Sequence, residues 1–324
     1  MAAAPETLDA RPVQNAAERA TFETVSRVDV VIVSYNSAQK LERCLAGLVT
    51  AKDIRVTVVD NHSADGSARL ASDLGAETIA LDWNSGFSHG CNVGWRTGSA
   101  EYVLFLNPDA AIDVDGVHRL AAILDADPGA GIVAPRIVHE SGELSLSLRR
   151  FPSVTRTLAQ ALFLHRLVPY AEWADEIVRD PCAYERVSQP DWVSGACLLA
   201  RRRLLEELEG FDERFFLYSE DVDLCRRSWE RGATVRYEPG VTAVHTGGAS
   251  APPGRVLPLL VASRRLYSRK TERLPVALIH GLAITLVSLT RLIVATDNDR
   301  RLGHLHALTR RNPRQRLVAT PARD

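Results

Sequence analysis

The chain has 324 residues, of which 46% are hydrophobic and 24% charged, the composition of an ordinary globular protein that can bury a large core. Its formal net charge of -1 hides a basic C-terminal part, because residues 255–324 carry 14 Lys and Arg but only 4 Asp and Glu. Its five cysteines show no C-x-x-C spacing, which argues against a disulfide framework or a zinc site and indicates reduced thiols in the cytoplasm.

The first predicted elements alternate between strand and helix. Residues 1–27 contain acids and no long apolar run, so we expect a flexible arm and no secretory signal. The segment Val28–Tyr35 is almost entirely β-branched, which is typical of a buried parallel strand. Strand patterns recur over 54–60, 77–81 and 102–107, with helical spacing of apolar residues between them. This alternation predicts an α/β fold with a doubly wound, mostly parallel sheet.

Polar clusters follow three of these predicted strands directly. They are Ser34-Tyr35-Asn36, Asp60-Asn61 and Asn107-Pro108-Asp109. Because ligands of such sheets bind beyond the carboxyl ends of the strands, we expect the three clusters to converge on one crevice. A carboxylate such as Asp60 suits hydrogen bonding to the ring N–H of a pyrimidine. The residues after it could instead form an Asx-type turn that caps the next helix.

The second half of the chain is less regular. Over 140–190 we expect a hairpin, a helix and an irregular loop, after which regular patterns return over Trp192–Arg202 with a helix to about Leu208. A helix is predicted to start at Glu220 and to bury Val222, Cys225 and Trp229. Two short strands are predicted at the end of this half, over Val235–Tyr237 and Val241–His245.

The basic C-terminal part contains an apolar run, Pro275–Ala295, whose polar residues fall mostly on one helical face. Arginines flank the run on both sides, so we expect residues 255–311 to lie on an anionic membrane surface through an interfacial helix. A helix packed on the rest of the chain and a true membrane span are the alternatives. Nucleic-acid binding is not favoured, because the arginines flank an apolar segment.

Seven motifs, in order along Val28–Gly248, resemble the inverting family 2 glycosyltransferases of the GT-A fold, and especially their rhamnosyltransferase-like members. The motifs are VIVSYNS, VVDNHSADGS, NSGFSHGCNVGW, FLNPDA, WVSGACLLARR, FDERFFLYSEDVDLCRR and HTGG. Each motif is weak alone, and their order makes the resemblance specific. It implies a GT-A domain over 28–250, with a nucleotide-sugar-binding half at 28–138 and an acceptor half at 139–250. Residues 251–324 would form a helical, basic, membrane-associating extension.

The resemblance implies a donor site and a metal site. The residues implied for the nucleoside diphosphate sugar are Ser34, Tyr35, Asn36, Asp60, Asn61, Asn84, Gly86, Phe87, Asn92 and Asn107. Asn107-Pro108-Asp109 takes the place of the family's D-x-D motif but has Asn at the first position, so Asp109 would hold Mg²⁺ or Mn²⁺ against the diphosphate. His245 matches a distal metal ligand of some relatives, although a single His at a strand end is often structural.

The resemblance also implies a catalytic base. Glu220-Asp221 matches the family's acidic pair, with Asp221 as the base for the acceptor hydroxyl and Glu220 orienting it or contacting the acceptor. The alternative is that both acids only complement the helix dipole. Trp192, Gly195 and Ala196 resemble the acceptor loop, although Trp192 could equally be a core residue.

The function that follows is an inverting glycosyl transfer at the cytoplasmic face of the cell membrane. The expected donor is dTDP-rhamnose, with a UDP-hexose as the alternative. The expected acceptor is a lipid-linked saccharide or a growing surface polysaccharide. A catalytically inactive sugar-nucleotide-binding protein is the second possibility, for which Asn107 is the only indication. A Rossmann oxidoreductase is disfavoured, because the first strand leads into SYNSAQ with no G-x-G-x-x-G.

Overall fold

A computed structural model describes residues 26–247 and 252–309. Nearly all of the predicted N-terminal arm, 1–27, lies outside these residues. So do Gly248 of the last motif and the two arginines Arg310 and Arg311 at the end of the predicted membrane segment.

An eight-stranded sheet forms the centre of the protein. In spatial order its strands are β3 (Glu77–Ala80), β2 (Ile54–Asp60), β1 (Val28–Ser34), β4 (Tyr102–Leu106), β9 (Cys197–Arg201), β6 (Ala130–Val138), β10 (Thr234–His245) and β5 (Ala110–Ala111). β9 runs antiparallel to both of its neighbours and β5 antiparallel to β10, while the other pairs are parallel. A separate antiparallel pair joins β7 (Leu148–Arg149) to β8 (Trp192–Val193). The predicted doubly wound, mostly parallel sheet is confirmed.

The sequence predicted two short strands at this place, but the structure has one strand, β10. It is one strand of 12 residues that pairs with β6 on both sides of an irregularity between Glu238 and Thr242. Pro239 and Gly240 lie inside this irregularity. Proline has no N–H to donate, so the interruption that the sequence shows is a bulge within a continuous strand.

The helices connect and cover these strands. They are α1 (Ala38–Leu45), α2 (Ser67–Asp73), α3 (Phe87–Arg96), α4 (Val114–Ala126), α5 (Val154–Ala161), α6 (Leu164–Leu167), α7 (Arg202–Leu208), α8 (Glu220–Glu230), α9 (Pro253–Thr271), α10 (Leu274–Val294) and α11 (Asn298–Thr309). α8 begins at Glu220 as predicted and buries Val222 and Cys225, whereas Trp229 is only half-buried.

Two hydrophobic clusters lie on opposite faces of the sheet, because successive residues of a strand point to opposite sides. On one face Val30 and Ile32 of β1 pack with Leu41 of α1 and Leu120 of α4. On the other face Val31, Val33 and Phe105 pack with Trp95, Leu205 and Leu224 from α3, α7 and α8. All seven residues of β1 are buried, which explains why its sequence, VDVVIVS, is mostly apolar and β-branched.

Helix α9 is fastened to the sheet domain by ion pairs. Lys270 Nζ lies 2.7 Å from Asp212 Oδ2 and 2.5 Å from Asp223 Oδ1, and Arg264 pairs with Glu176. Two of the basic residues expected to meet lipid headgroups, Arg264 and Lys270, therefore bind carboxylates of the protein instead. This corrects that part of the membrane prediction.

Helix α10 packs on α5, α9 and α11 with its polar residues facing inward. His280 is buried, with Nε2 2.8 Å from Thr157 Oγ1 and Nδ1 2.9 Å from Glu272 Oε1. Ser288 is also buried, and the Arg291 guanidinium lies 3.9 Å from the centre of the Phe163 ring. The polar face thus contacts the protein and not the lipid headgroups.

The opposite face of α10 is apolar and exposed. Its large exposed side chains are Leu274, Val276, Leu278, Ile279, Leu282, Leu289, Ile293 and Val294. Within residues 26–247 and 252–309, α10 is the helix that is long and apolar enough to cross a membrane by length and composition.

Candidate active site

A cavity of about 420 Å³ opens where β1 and β4 end, and it is lined from both halves of the chain. The predicted residues that line it are Tyr35, Asn61, Asn84, Gly86, Phe87, Asn107, Asp109, Gly195, Ala196, Glu220, Asp221 and His245. Ser194 and the segment Phe216–Tyr218 also line it and were not predicted. The strand ends therefore converge on one cleft, and the acidic pair of α8 lies in the same cleft.

The loop after β2 is built around Asp60. Asp60 Oδ2 accepts a hydrogen bond from the Ser63 amide at 2.9 Å, while its buried Oδ1 has no partner in the described part of the chain. The Ser34 hydroxyl beside β2 is likewise buried without a partner. Buried polar atoms are nearly always hydrogen-bonded in proteins, so both atoms have unused hydrogen-bonding capacity. Neither Asp60 nor Ser34 is among the residues that line the cleft, although their chain neighbours Asn61 and Tyr35 are.

Asn36 supports this loop and does not line the cleft. It lies at φ 49°, its amide donates to Ser63 Oγ at 2.9 Å, and its Oδ1 accepts from the Ala64 amide at 2.9 Å. Asn36 therefore shapes the loop after β2, and its direct contact with the nucleotide stays a prediction. Asn61 acts differently, because it lines the cleft while its Oδ1 accepts from the Ser85 amide at 2.8 Å.

Gly86 lets the two halves of the cleft approach each other closely. Its φ is 93°, and a Cβ at this position would lie 2.6 Å from the Phe216 carbonyl oxygen. The neighbouring Phe87 amide donates to that same oxygen at 2.7 Å. Any larger residue would thus separate the donor loop from the segment that precedes α8.

Asn92 also departs from its prediction as a donor-site residue. It is 1% exposed and every polar atom of its side chain is used internally. Its Nδ2 donates to Phe211 O and Glu213 Oε1, and its Oδ1 accepts from the Phe211 amide and from Trp95 Nε1. Asn92 holds the start of the segment leading to α8 against α3 and does not reach the cleft.

The predicted metal residues, Asp109 and His245, are in contact. Asp109 Oδ1 lies 3.0 Å from His245 Nε2, and Asp109 Oδ2 lies 3.5 Å from Lys40 Nζ of α1. Burial raises the pKa of Asp109, but the hydrogen bond and charge of His245 and the charge of Lys40 outweigh it and lower the pKa below its usual value. The carboxylate is thus kept ionised.

This pair fits a divalent cation that is shared with a ligand. The described residues contain no group of three or more His, Cys, Asp and Glu side chains that could enclose a metal alone. Mg²⁺ usually keeps several waters and is bound through one or two protein carboxylates plus substrate phosphates. One carboxylate and one imidazole therefore match the small number of ligands that a protein supplies to it. Lys40 was not predicted, because only the folded chain brings α1 next to Asp109.

The acidic pair lies at the start of α8, after two residues in the left-handed region, Tyr218 at φ 70° and Ser219 at φ 66°. Asp221 Oδ2 accepts from the Gly195 amide at 3.1 Å and Oδ1 from the Val222 amide at 2.8 Å. Glu220 Oε2 is buried and has no partner among the described residues. Gly195 of the predicted acceptor loop therefore orients Asp221.

Both acids of this pair are perturbed in the same direction. Burial and then the charge of Asp221 raise the pKa of Glu220 well above its usual value. Burial also raises the pKa of Asp221, against the two backbone donors and the charge of Arg149. A raised pKa makes the ionised carboxylate a stronger base toward an acceptor hydroxyl, which is the property required of a general base.

Trp192 does not line the cleft. Its Nε1 donates to the Arg150 carbonyl at 2.9 Å, and its ring packs beside Arg149 and against the cluster of Phe215 and Val222. The alternative core role describes its position, and its predicted stacking on an acceptor sugar is not supported.

Comparison with known proteins agrees with this geometry. Residues 29–177 match the family model described as Glycosyl transferase family 2. The chain is 32% identical over 235 residues to N-acetylglucosaminyl-diphospho-decaprenol L-rhamnosyltransferase of Mycobacterium tuberculosis, covering 67% of this chain and 75% of that protein. It is 24% identical to rhamnosyltransferase WbbL of Escherichia coli, covering 67% and 83% of the two chains.

Solved structures show the same fold. S. aureus TarS 1-349 superposes with a TM-score of 0.53 at 16% identity, covering 90% of this chain and 81% of that one. Mannosyltransferase PcManGT from Pyrobaculum calidifontis, in complex with GDP-Man and Mn²⁺, gives a TM-score of 0.51 at 18% identity, covering 90% and 83%. These likenesses establish the GT-A fold.

Proposed function

Because this chain belongs to glycosyl transferase family 2, we propose that it transfers L-rhamnose from dTDP-rhamnose to a saccharide carried on a polyprenyl diphosphate. Its action as a glycosyltransferase follows from the family, and the donor and acceptor are the proposal. Two relatives named as rhamnosyltransferases support the donor, and the decaprenol-diphosphate compound in the name of one supports the acceptor. A UDP-hexose is the alternative donor, since TarS has been solved with UDP-GlcNAc.

The observation that carries the proposal is the shared cleft of Asp109, Glu220 and Asp221. In the proposed reaction the acceptor hydroxyl oxygen attacks the anomeric carbon and forms the new glycosidic bond. The bond from that carbon to the diphosphate breaks on the opposite face, so the configuration inverts. Asp221 takes the hydroxyl proton. Glu220, the neighbouring buried acid, would orient Asp221 or contact the acceptor.

Charge on the leaving diphosphate is the second requirement of the reaction. Asp109 and His245 would hold Mg²⁺ or Mn²⁺, which when bound neutralises the diphosphate. Lys40, 3.5 Å from Asp109, adds a positive charge at the same place. Asn107, in the first D-x-D position, lines the cleft and would bind the ribose.

Recognition of the pyrimidine base of the nucleotide is assigned to Asp60. Its unpartnered, buried Oδ1 at the end of β2 is an acceptor for the ring N–H of thymine or uracil. Tyr35 lines the cleft beside this loop and would complete the base site. This arrangement favours a pyrimidine nucleotide without choosing between dTDP and UDP.

The membrane contact is assigned to the exposed apolar face of α10. We infer a peripheral position at the cytoplasmic face, with that helix face in the interface and the exposed Arg269, Arg273, Arg300 and Arg301 near anionic headgroups. A lipid-linked acceptor would then reach the enzyme along the same surface.

A thermal-shift panel tests the donor. We expect dTDP-rhamnose with Mg²⁺ to raise the melting temperature more than UDP-galactose, UDP-N-acetylglucosamine, GDP-mannose or NADH does. A ligand at 100 times its dissociation constant adds about 2.7 kcal/mol of stability, which such a scan detects easily. Stabilisation by none of the nucleotide sugars would refute the proposal. A product assay with and without acceptor separates transfer from an inactive binding protein.

A further inference from the structure

A second cavity, of about 720 Å³, adjoins the cleft and has no part in the reaction proposed above. Gln189–Asp191 line this cavity and Ser194–Ala196 line the cleft, so only the two residues of β8 separate the two linings in the chain. At the rise of an extended strand, the three steps from Asp191 to Ser194 span about 10 Å. The two sites are therefore close enough for one extended ligand to occupy both.

Arg149 of β7 connects the second cavity with Asp221, the proposed catalytic base. It lines the cavity, its buried Nε has no partner in the described part of the chain, and none of the described carboxylates lies within ion-pair distance of it. Its guanidinium lies 5.7 Å from the centre of the Trp192 ring, and its charge acts on Asp221. Glu176 and Asp221 act on this half-buried guanidinium through their charge, but neither forms an ion pair with it, so its Nε remains a donor for an anion.

The acids of this cavity do not neutralise Arg149. Asp180 caps the following turn by accepting from the Cys182 amide, and Asp191 accepts from the Phe151 amide at 2.7 Å. The Glu172 side chain is 79% exposed and lies 3.5 Å from Arg150. The cavity also contains Arg156, which donates to the Phe151 and Glu172 carbonyls.

An apolar surface begins at the rim of the same cavity. Tyr170 lines the cavity and is exposed, and Leu167 and Trp173 beside it in sequence are exposed as well. Leu162, at the end of α5, is exposed as well, and α5 packs directly on α10. Exposed apolar side chains thus occur at the cavity rim, on α5 and on the outer face of α10.

We propose that this cavity binds the diphosphate of a prenyl-diphosphate-linked acceptor, with Arg149 as the contacting cation and Tyr170 beside the first part of the prenyl chain. The inference rests on the proposed function and assigns its acceptor site. A guanidinium matches phosphate oxygens in a bidentate geometry, and its place beside Asp221 leaves the acceptor sugar between the diphosphate and the base.

A titration of the full chain tests the proposal. The donor site is first saturated with dTDP or UDP, whichever stabilises the protein, together with Mg²⁺. Farnesyl diphosphate, farnesol and inorganic diphosphate are then titrated separately by calorimetry. We expect farnesyl diphosphate to bind and Arg149→Met to weaken it by about tenfold or more, as for loss of a charged hydrogen bond.

Two further variants control the result. Arg203→Met removes an exposed arginine of α7, which pairs with Glu207, and is expected to leave binding unchanged. Arg150→Gln removes a second cavity arginine and is expected to weaken farnesyl diphosphate several-fold, which keeps the test valid if Arg149→Met does not fold. Unchanged nucleoside diphosphate binding in the Arg149 variant reports its folding.

The three ligands distinguish a prenyl diphosphate from a free diphosphate and from an apolar chain alone. At least tenfold tighter binding of farnesyl diphosphate than of inorganic diphosphate and farnesol supports the proposal. Equal binding of inorganic diphosphate would assign a free diphosphate site, equal binding of farnesol would assign an apolar groove, and either would overturn it. Binding unaffected by both cavity variants would overturn it too. Failure of the chain to bind any nucleoside diphosphate would refute the proposed function independently.

Discussion

Among single residues, Asp109 is the proposed metal carboxylate because of its position in the fold and not because it belongs to a literal D-x-D sequence. The literal D-x-D sequence Asp113-Val114-Asp115 lies only a few residues away, but Asp113 caps α4 by accepting from the Gly116 amide at 2.7 Å. Asp109 instead lies in the cleft between His245 and Lys40.

This difference gives a prediction with a matched control. Asp109→Asn removes the charge that would hold the cation and should lower kcat by about 100-fold or more, comparable to loss of one electrostatic stabiliser of a transition state. Asp115→Asn, in the literal D-x-D sequence, should leave kcat unchanged. Steady-state transfer rates with added Mg²⁺, and after chelation, make the comparison. Full metal-dependent activity in the Asp109 variant would remove Asp109 from the metal site.

Glu220 gives a prediction about stability and pH. Its pKa is raised in the folded protein, so the stability that its protonated form contributes is present below the unfolded pKa and is lost as the pH rises through the folded pKa. The Glu220→Gln variant has no such loss. The difference between its free energy of unfolding and that of the wild type should therefore increase from pH 5 to pH 9. The slope cannot exceed about 1.4 kcal/mol per pH unit for one proton.

Urea denaturation at several pH values measures this difference. Glu42→Gln, an exposed acid of α1, is the control and should show no trend with pH. A Glu220→Gln curve parallel to wild type over the whole range would mean that Glu220 is not a buried perturbed acid.

The residues that sequence reasoning placed correctly are those next to a strand or helix end. Tyr35, Asn107 and Glu220 lie in the cleft because the ends of their elements do. Asn92 and Trp192 were misplaced, since a motif does not show whether its polar side chain points to the cleft or to the packed side of its element. Lys40 and Arg149 depend on long-range packing and had no local signal.

At the scale of elements, strands rich in apolar residues were the most predictable. β1, β2 and β4 lie where expected because burial on both faces favours apolar residues at most positions. The antiparallel insertion of β9 between β4 and β6 could not be read from the sequence, because pairing direction depends on topology and not on composition.

The position and length of helix α10 were predicted, but not which of its faces contacts the protein. Its polar residues were expected in the lipid interface, yet His280 and Ser288 are buried against the protein. A helical wheel shows that two faces differ, and only the packed structure shows which face is covered. The exposed apolar face is what remains to contact a membrane.

Binding to lipid vesicles tests this face of α10. The triple replacement Leu278→Ser, Ile279→Ser and Leu282→Ser removes three exposed apolar side chains and should lower the partition coefficient by at least about 100-fold. Val187→Ser, at an exposed apolar position outside the helix, should have little effect. Co-sedimentation with phosphatidylglycerol-rich vesicles makes the measurement. Equal sedimentation of the triple variant and wild type would rule out this face as the membrane contact.

At the scale of the whole molecule, the cleft depends on contacts between the two halves of the chain. The donor loop at Gly86 touches the segment before α8 through the bond from the Phe87 amide to Phe216 O. Gly195, next to β9, orients Asp221 at the start of α8. The proposed base, the proposed diphosphate residues and the proposed acceptor loop therefore belong to one continuous packing arrangement.

The central claim is that Asp221 accepts the proton of the acceptor hydroxyl in this cleft. The most direct test is the transfer rate of Asp221→Asn, with a prenyl-diphosphate N-acetylglucosamine acceptor and the donor that stabilises the wild type. The variant should lose about 10²- to 10⁴-fold in kcat, the usual contribution of a general base, while its dissociation constant for the nucleoside diphosphate stays unchanged. Transfer by Asp221→Asn at the wild-type rate would contradict the account.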